Sequence, residues 1–407
     1  MNRRTALKQM ALGLGASLTQ LAHGQRPDKG LAGERAVVNG NREFATDLYG
    51  QLRDNRGNLF FSPYSISTAL AMTYAGALGQ TADEMAKALH FTLDRSHLSA
   101  AFATLAANTK SLGKKSGCEL FLGNALWGQH GYHFLPDFLN QVRKNFDASV
   151  NEVDFVGHAE EARHTINTWV EKQTKEKIKD LLPSGVLTPD TRLVLTNAIY
   201  FKSTWQSPFN QKTTREEAFT LAPQEKIQVP MMHRSADFGY VDGGSFDALD
   251  LPYAGKELSM TIFLPKKVDG LAEFEKTVTS GKLVEWLSQL KSSRVDVALP
   301  KFKMMVACNL KQALSRMGMA SAFGRGADFS GMTGSRDLFL SEVVHKAQVD
   351  VQEEGTEAAA ATGVVMERLS LSPSVRTFRA DHPFVFVIRD RRLNSILFMG
   401  RLIDPRG

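Results

Sequence analysis

The sequence predicts an α+β chain folded as one large domain around a large mixed β-sheet. Three observations predict it. Helical periodicities dominate the first half of the chain, and short apolar or alternating runs dominate the second. Between about residues 36 and 404 there is no low-complexity linker, fixed-period repeat or abrupt change of composition.

Residues 41–53 place Phe44, Leu48 and Leu52 at helical spacing, and 62–77 continue with small and apolar residues, with Pro63 standing where a helix begins. Residues 159–182 carry Ile166, Trp169, Val170 and Ile178 on one stripe among lysines and glutamates, which predicts an amphipathic helix over a core. Residues 192–201 are nearly continuously apolar, as a strand buried on both faces must be. Shorter runs at 257–264, 295–299, 343–351, 384–388 and 395–402 predict the remaining strands.

Composition narrows the function. With 407 residues, 43% of them hydrophobic and 23% charged, the chain is not collagenous, wholly disordered or coiled coil. A chain this long buries about three quarters of its surface, so it needs no disulfide or metal to fold. Its two cysteines, Cys118 and Cys308, are too few for a disulfide scaffold or a four-cysteine zinc site, and no cofactor or metal is expected. Sequence leaves open whether the two pair.

Arg3, Arg4 and Lys8 precede an uncharged apolar stretch, 10–22, and the small residues at 22–24 suit a signal peptidase. Residues 1–24 therefore read as an export signal, 25–35 as a linker and 36–407 as the domain, which places the mature chain in the periplasm or extracellular space. The run at 3–8 resembles a twin-arginine signal; a general secretory signal with two arginines looks much the same. Removing three positive charges from a net +6 leaves +3, too little to argue for nucleic acid. The basic pairs and runs at 114–115 and 389–392 read as solvated surface.

Residues 349–370 fit a finished fold poorly. They follow an alternating strand, yet contain four successive alanines and two glycines, Gly355 and Gly363. Counted in steps of two, Thr356, Ala358, Ala360, Thr362, Val364 and Met366 share one uncharged face, while Glu357 and Glu367 fall on the other. Such a segment can enter a sheet between existing strands without burying an unpaired carboxylate, which would cost several kcal/mol. It is written as a latent strand. Gly363 adds conformational entropy that an inserted strand must lose.

Here the chain resembles the serpin family, from about residue 36 to 405. The resemblance rests on Asn58-Leu-Phe-Phe-Ser-Pro-Tyr-Ser-Ile-Ser, Thr196-Asn-Ala-Ile-Tyr-Phe-Lys-Ser-Thr-Trp205, Ser341-Glu-Val-Val-His-Lys-Ala347, Glu353-Glu-Gly-Thr-Glu-Ala-Ala-Ala-Ala361, Phe378-Arg-Ala-Asp-His-Pro-Phe-Val-Phe386 and Phe398-Met-Gly400. It implies the serpin fold: a large mixed central sheet, further smaller sheets, about eight or nine helices and an exposed reactive-centre loop near 353–377. It also implies a suicide-substrate inhibitor of serine proteases, acting as a monomer without nucleic acid, membrane span or cofactor. The target cuts the loop, forms an acyl-enzyme and is dragged along as the loop inserts into the sheet.

Carried onto this chain, the resemblance assigns Leu369–Ser370 as the scissile bond, with Arg368–Leu369 as the alternative register. Leucine suits chymotrypsin-, elastase- or subtilisin-like targets, whereas Arg368 would suit a trypsin-like one. The hinge comprises Glu353, Glu354, Gly355, Thr356, Glu357, Ala358, Ala359, Ala360 and Ala361; where non-inhibitory members tend to carry charged, bulky or proline residues, this chain has Thr356 followed by the four alanines 358–361. Ser62, Ser65, Asn197 and His345 match the shutter, a buried hydrogen-bond cluster beneath the place where the sheet parts. Trp205 and Lys301 match the breach, where insertion starts, and Lys301 with Glu353 is expected as an exposed ion pair contributing about 0–1 kcal/mol. No nucleophile-elbow motif surrounds Ser62 or Ser65, so with His345 they do not read as a catalytic set. Two alternatives remain open: a non-inhibitory, binding or chaperone-like serpin, and an inhibitor of papain-like cysteine proteases.

Overall fold

The computed structural model describes residues 29–116, 118–356 and 375–407, with the backbone alone at 29 and 113–116. Its strands form two sheets, one of six strands and one of nine. Eight helices of seven residues or more surround them among the described residues, with two further single turns of four residues each.

The six-stranded sheet runs in the order Phe302–Asn309, Leu340–Val351, Gly355–Thr356, Leu193–Thr204, Glu119–Gln129, Ser149–Val153. It is mixed, as the sequence predicts. Leu340–Val351 and Leu193–Thr204 pair directly and in parallel from Leu340↔Leu193 to Gln348↔Tyr200, and beyond that point Gly355–Thr356 lies between them, antiparallel to both. The Leu193–Thr204 strand is buried along almost its whole length, which explains its unbroken apolar run.

Helix Pro63–Tyr74 begins where Pro63 predicts, with Ser62 as its cap: the Ser62 hydroxyl accepts a hydrogen bond from the Ser65 amide at 3.1 Å. Its small residues Ser65, Ala69 and Ala71 let it sink against both sheets, so nearly every side chain is buried. Helix Phe155–Gln173 covers the opposite face of the six-stranded sheet through Ile166 and Val170, which pack with Trp127, Val194, Ala198 and Val344.

Three expectations need correction. The helix predicted over 159–182 stops at Gln173, because Lys175 and Glu176 turn left-handed (φ 49° and 60°) and the Thr174 hydroxyl accepts from the Ile178 amide. Ile178, Leu181 and Leu182 still reach the same core, delivered by turns instead of a helix. Helix Lys29–Leu52 takes in residues 29–35, assigned above to a linker, and Glu34 within it is buried against Asn108 and Arg392. The 389–392 run is not a free basic surface either: Arg389 is buried on Asp250 at 3.0 Å. Residues 1–24 lie outside the described chain, and no helix among the described residues is long and apolar enough to cross a membrane.

Candidate functional site

The site begins where the 340–351 strand ends. Gln352 and Gly355 exchange backbone hydrogen bonds (2.8 and 3.2 Å), closing a hairpin turn with Glu353 and Glu354 at its tip. The chain returns so that Thr356 lies opposite Val351 on one side and Ser203 on the other. Glycine is required at 355: φ is 155°, and a Cβ there would collide with the Ser203 carbonyl and lie 2.5 Å from Thr204 Cα.

The described hinge residues, Glu353 to Thr356, each have a partner. The Trp205 amide donates to the Glu354 carbonyl (2.8 Å), its indole Nε1 donates to the Gln352 carbonyl (2.9 Å), and the Phe209 amide donates to the Glu353 carbonyl (2.8 Å). Gln211 donates to the Glu354 carboxylate. Glu353 accepts from Lys301 Nζ at 2.8 Å and from the Thr214 hydroxyl at 2.8 Å. The expected exposed pair is thus half wrong, because the Glu353 side chain is only 5% accessible. Burial pushes its pKa up, but Lys301 and Thr214 outweigh that and the net direction is down. Thr356 is fully buried, and its hydroxyl lies 2.9 Å from that of Tyr253.

Below the seated pair, where the two strands touch directly, lies a second polar cluster. The Ser62 amide donates to His345 Nε2 (3.2 Å), so that nitrogen carries no proton and Nδ1–H donates to Asn197 Oδ1 (2.5 Å). Asn197 Nδ2 in turn donates to the Ser65 hydroxyl (2.5 Å) and to Asn124, and the Ser62 hydroxyl donates to the Leu397 carbonyl (2.6 Å). Burial pushes the His345 pKa down to about 3. A neutral ring without a solvent-exposed nucleophile beside it performs no acid–base chemistry; it ties one strand to the next.

Ser62, Ser65, Asn197 and His345 therefore come together as one cluster, and Trp205, Lys301, Glu353, Glu354, Gly355 and Thr356 as another. Glu357, Ala358, Ala359, Ala360, Ala361, Arg368, Leu369 and Ser370 lie outside the described residues. Sequence reasoning missed Asn124, Thr214 and Tyr253. Asn124 carries a signal, a lone amide within the Leu120–Trp127 apolar run of a strand, but Thr214 and Tyr253 reach the hinge only through the fold. Both cysteines are free, with burial pushing Cys118 up to about 12 and Cys308 up to about 11. No cluster of three metal-ligating side chains occurs among the described residues.

A model of the serpin (serine protease inhibitor) family matches residues 39–405. The chain belongs to the serpin family. This serpin is 44% identical over 375 residues to the leukocyte elastase inhibitor of Bos taurus, covering 90% of the chain and 98% of that relative. Among solved structures it is similar to Serpin48 of the insect Tenebrio molitor (TM-score 0.83, 32% identity, 94% and 100% coverage). It is equally similar in fold to human thyroxine-binding globulin complexed with thyroxine (TM-score 0.83, 32% identity, 92% and 100% coverage).

Proposed function

We propose that this serpin is a suicide-substrate inhibitor of serine proteases with apolar primary pockets, of the chymotrypsin, elastase or subtilisin type. The observation that carries the reading is the seat of Gly355–Thr356 between two strands that otherwise pair directly. A strand has been started in a sheet that is not yet parted. The fold alone does not carry it, since a thyroxine-binding globulin shares that fold.

In this reading the target's nucleophile attacks the Leu369 carbonyl, the amine of Ser370 leaves, and an acyl-enzyme forms on Leu369. The freed segment continues the strand begun at Thr356. In the same register, residue 362 comes opposite both His345 and Asn197, so the hydrogen bond between these two must open as the strand advances. One parallel ladder is exchanged for two antiparallel ones, each added bond contributing about 0.5–1.5 kcal/mol net. From Gly355 to Leu369 the chain reaches about 46 Å when extended, enough to carry a bound protease across the domain and pull its catalytic groups apart. Misplacement by about 1 Å already lowers a rate on the order of a hundredfold.

Incubation with chymotrypsin followed by a denaturing gel tests the proposal. The expected result is a covalent band at the summed mass and a released fragment that begins at Ser370 by mass spectrometry. Clean cleavage with no such band would favour a binding or chaperone-like role, and a complex with papain alone would move the target to cysteine proteases. Leu369→Arg should transfer the complex from chymotrypsin to trypsin; persistence with chymotrypsin would reassign the bond. The uncharged stretch behind Arg3 and Arg4 supports export, for which N-terminal sequencing of protein from the culture medium or periplasm should begin near Gln25.

A further inference from the structure

Thr356 enters the sheet with a hydroxyl, and that hydroxyl must be satisfied in a site from which water is excluded. Among the described residues its one hydrogen-bond partner is the phenol of Tyr253, at 2.9 Å, and the phenol has no other. Both residues are fully buried, and they stand 103 positions apart in sequence. Burial, largely, drives the phenol pKa well up, so the group is a neutral hydroxyl at any working pH.

Tyr253 is itself held from every side. Its ring stacks on Trp205 with centroids 4.6 Å apart and planes 9° from parallel, and meets Phe201 edge-on at 5.2 Å and 73°. Its backbone forms an isolated antiparallel bridge with Trp205, reinforced by Ala254 donating to the Thr204 carbonyl (2.8 Å) and Gln206 donating to the Pro252 carbonyl (2.9 Å). Tyr253 directly follows the Phe246–Pro252 strand of the nine-stranded sheet, so it links that sheet to the rim of the other at the point of entry.

We propose that Tyr253 is a positioning residue that reads the side chain at 356 by its hydroxyl and holds the hinge seated before any protease arrives. The inference rests on the insertion reading for its consequence, though not for its geometry. A serine or threonine at 356 completes the pair. Valine has nearly the shape of threonine but strands the phenol, and a phenylalanine at 253 keeps the stack yet strands the threonine. Either single change leaves one buried hydroxyl without a partner, whereas changing both leaves none. The seat is therefore chemically selective as well as sterically tight.

The test is a double-mutant cycle read by hydrogen exchange at the Trp205 amide, which is protected only while Glu354 accepts from it. Tyr253→Phe and Thr356→Val should each speed that exchange about ten-fold or more, Thr356→Ser should leave it near the parent rate, and the double variant should return most of the way. The moles of serpin consumed per mole of chymotrypsin trapped should rise and fall in the same order. Tyr253→Phe exchanging at the parent rate would overturn the proposal, leaving the ring as packing alone. Additive acceleration in the double variant would overturn it too. A restored exchange rate with no covalent complex in any variant would instead sink the inhibitor reading and leave the pairing intact.

Discussion

His345 illustrates how a residue that usually titrates near neutrality is made inert. Its two ring nitrogens face one donor, the Ser62 amide, and one acceptor, Asn197 Oδ1, so only one neutral tautomer satisfies both. Protonation would set two N–H groups against each other. With the folded pKa near 3 and the unfolded value near 6.5, the unfolded chain binds the extra proton between those limits. Stability present above pH 6.5 is therefore lost as pH falls toward 3, by up to about 1.4 kcal/mol per pH unit. Glu353 acts in the same direction at lower pH, since its depressed pKa makes the Lys301 pair a contribution that disappears on acidification. Urea midpoints measured from pH 7 to 5 should fall for the parent. His345→Gln should flatten that slope by about one proton, and an unchanged slope would exclude His345 as its source.

At the scale of elements, the hinge hairpin sets a register, and the register gives Gly363 a meaning that local sequence lacked. Seven residues beyond Thr356, position 363 of an inserted strand falls opposite Val344 and Thr196. Both point toward helix Phe155–Gln173: Val344 packs in its cluster, and the Thr196 hydroxyl accepts from Trp127 of the same cluster. Read alone, glycine there only weakens a strand. Under a covering helix it leaves room for one to pass. Gly363→Val, which β-propensity favours, should accordingly slow insertion and raise the serpin consumed per protease trapped by about two-fold or more. Equal or tighter trapping would show that the helix gives way freely. Periodicity misjudged the end of this same helix for a related reason: buried apolar residues at 178, 181 and 182 read alike whether a helix or a set of turns delivers them.

For the whole molecule, the decisive quantity is the difference between the intact sheet and the completed one. The intact sheet holds eight parallel pairs between Leu340–Val351 and Leu193–Thr204 and a strand of only two residues between them. Completing that strand would multiply the antiparallel pairs on both of its sides. Cleavage within 357–370 by a protease that is not trapped should raise Tm by tens of degrees, through many bonds of about 0.5–1.5 kcal/mol each. A calorimetric scan in which nicked and intact protein melt together would remove the basis for inhibition.

Spacing and residue type along the chain were enough to establish the family, the mixed sheet, a buried strand over 192–201, the helix start at Pro63 and the small uncharged face of the latent strand. These are local facts, written in spacing and residue type. The burial of Glu353, the joining of Asn124 to Ser65 and Asn197, and the meeting of Tyr253 with Thr356 come from the folded arrangement. Each of those depends on chain segments tens to hundreds of residues apart, brought together by sheet order and register, and no periodicity in a single segment encodes which distant side chain will face it.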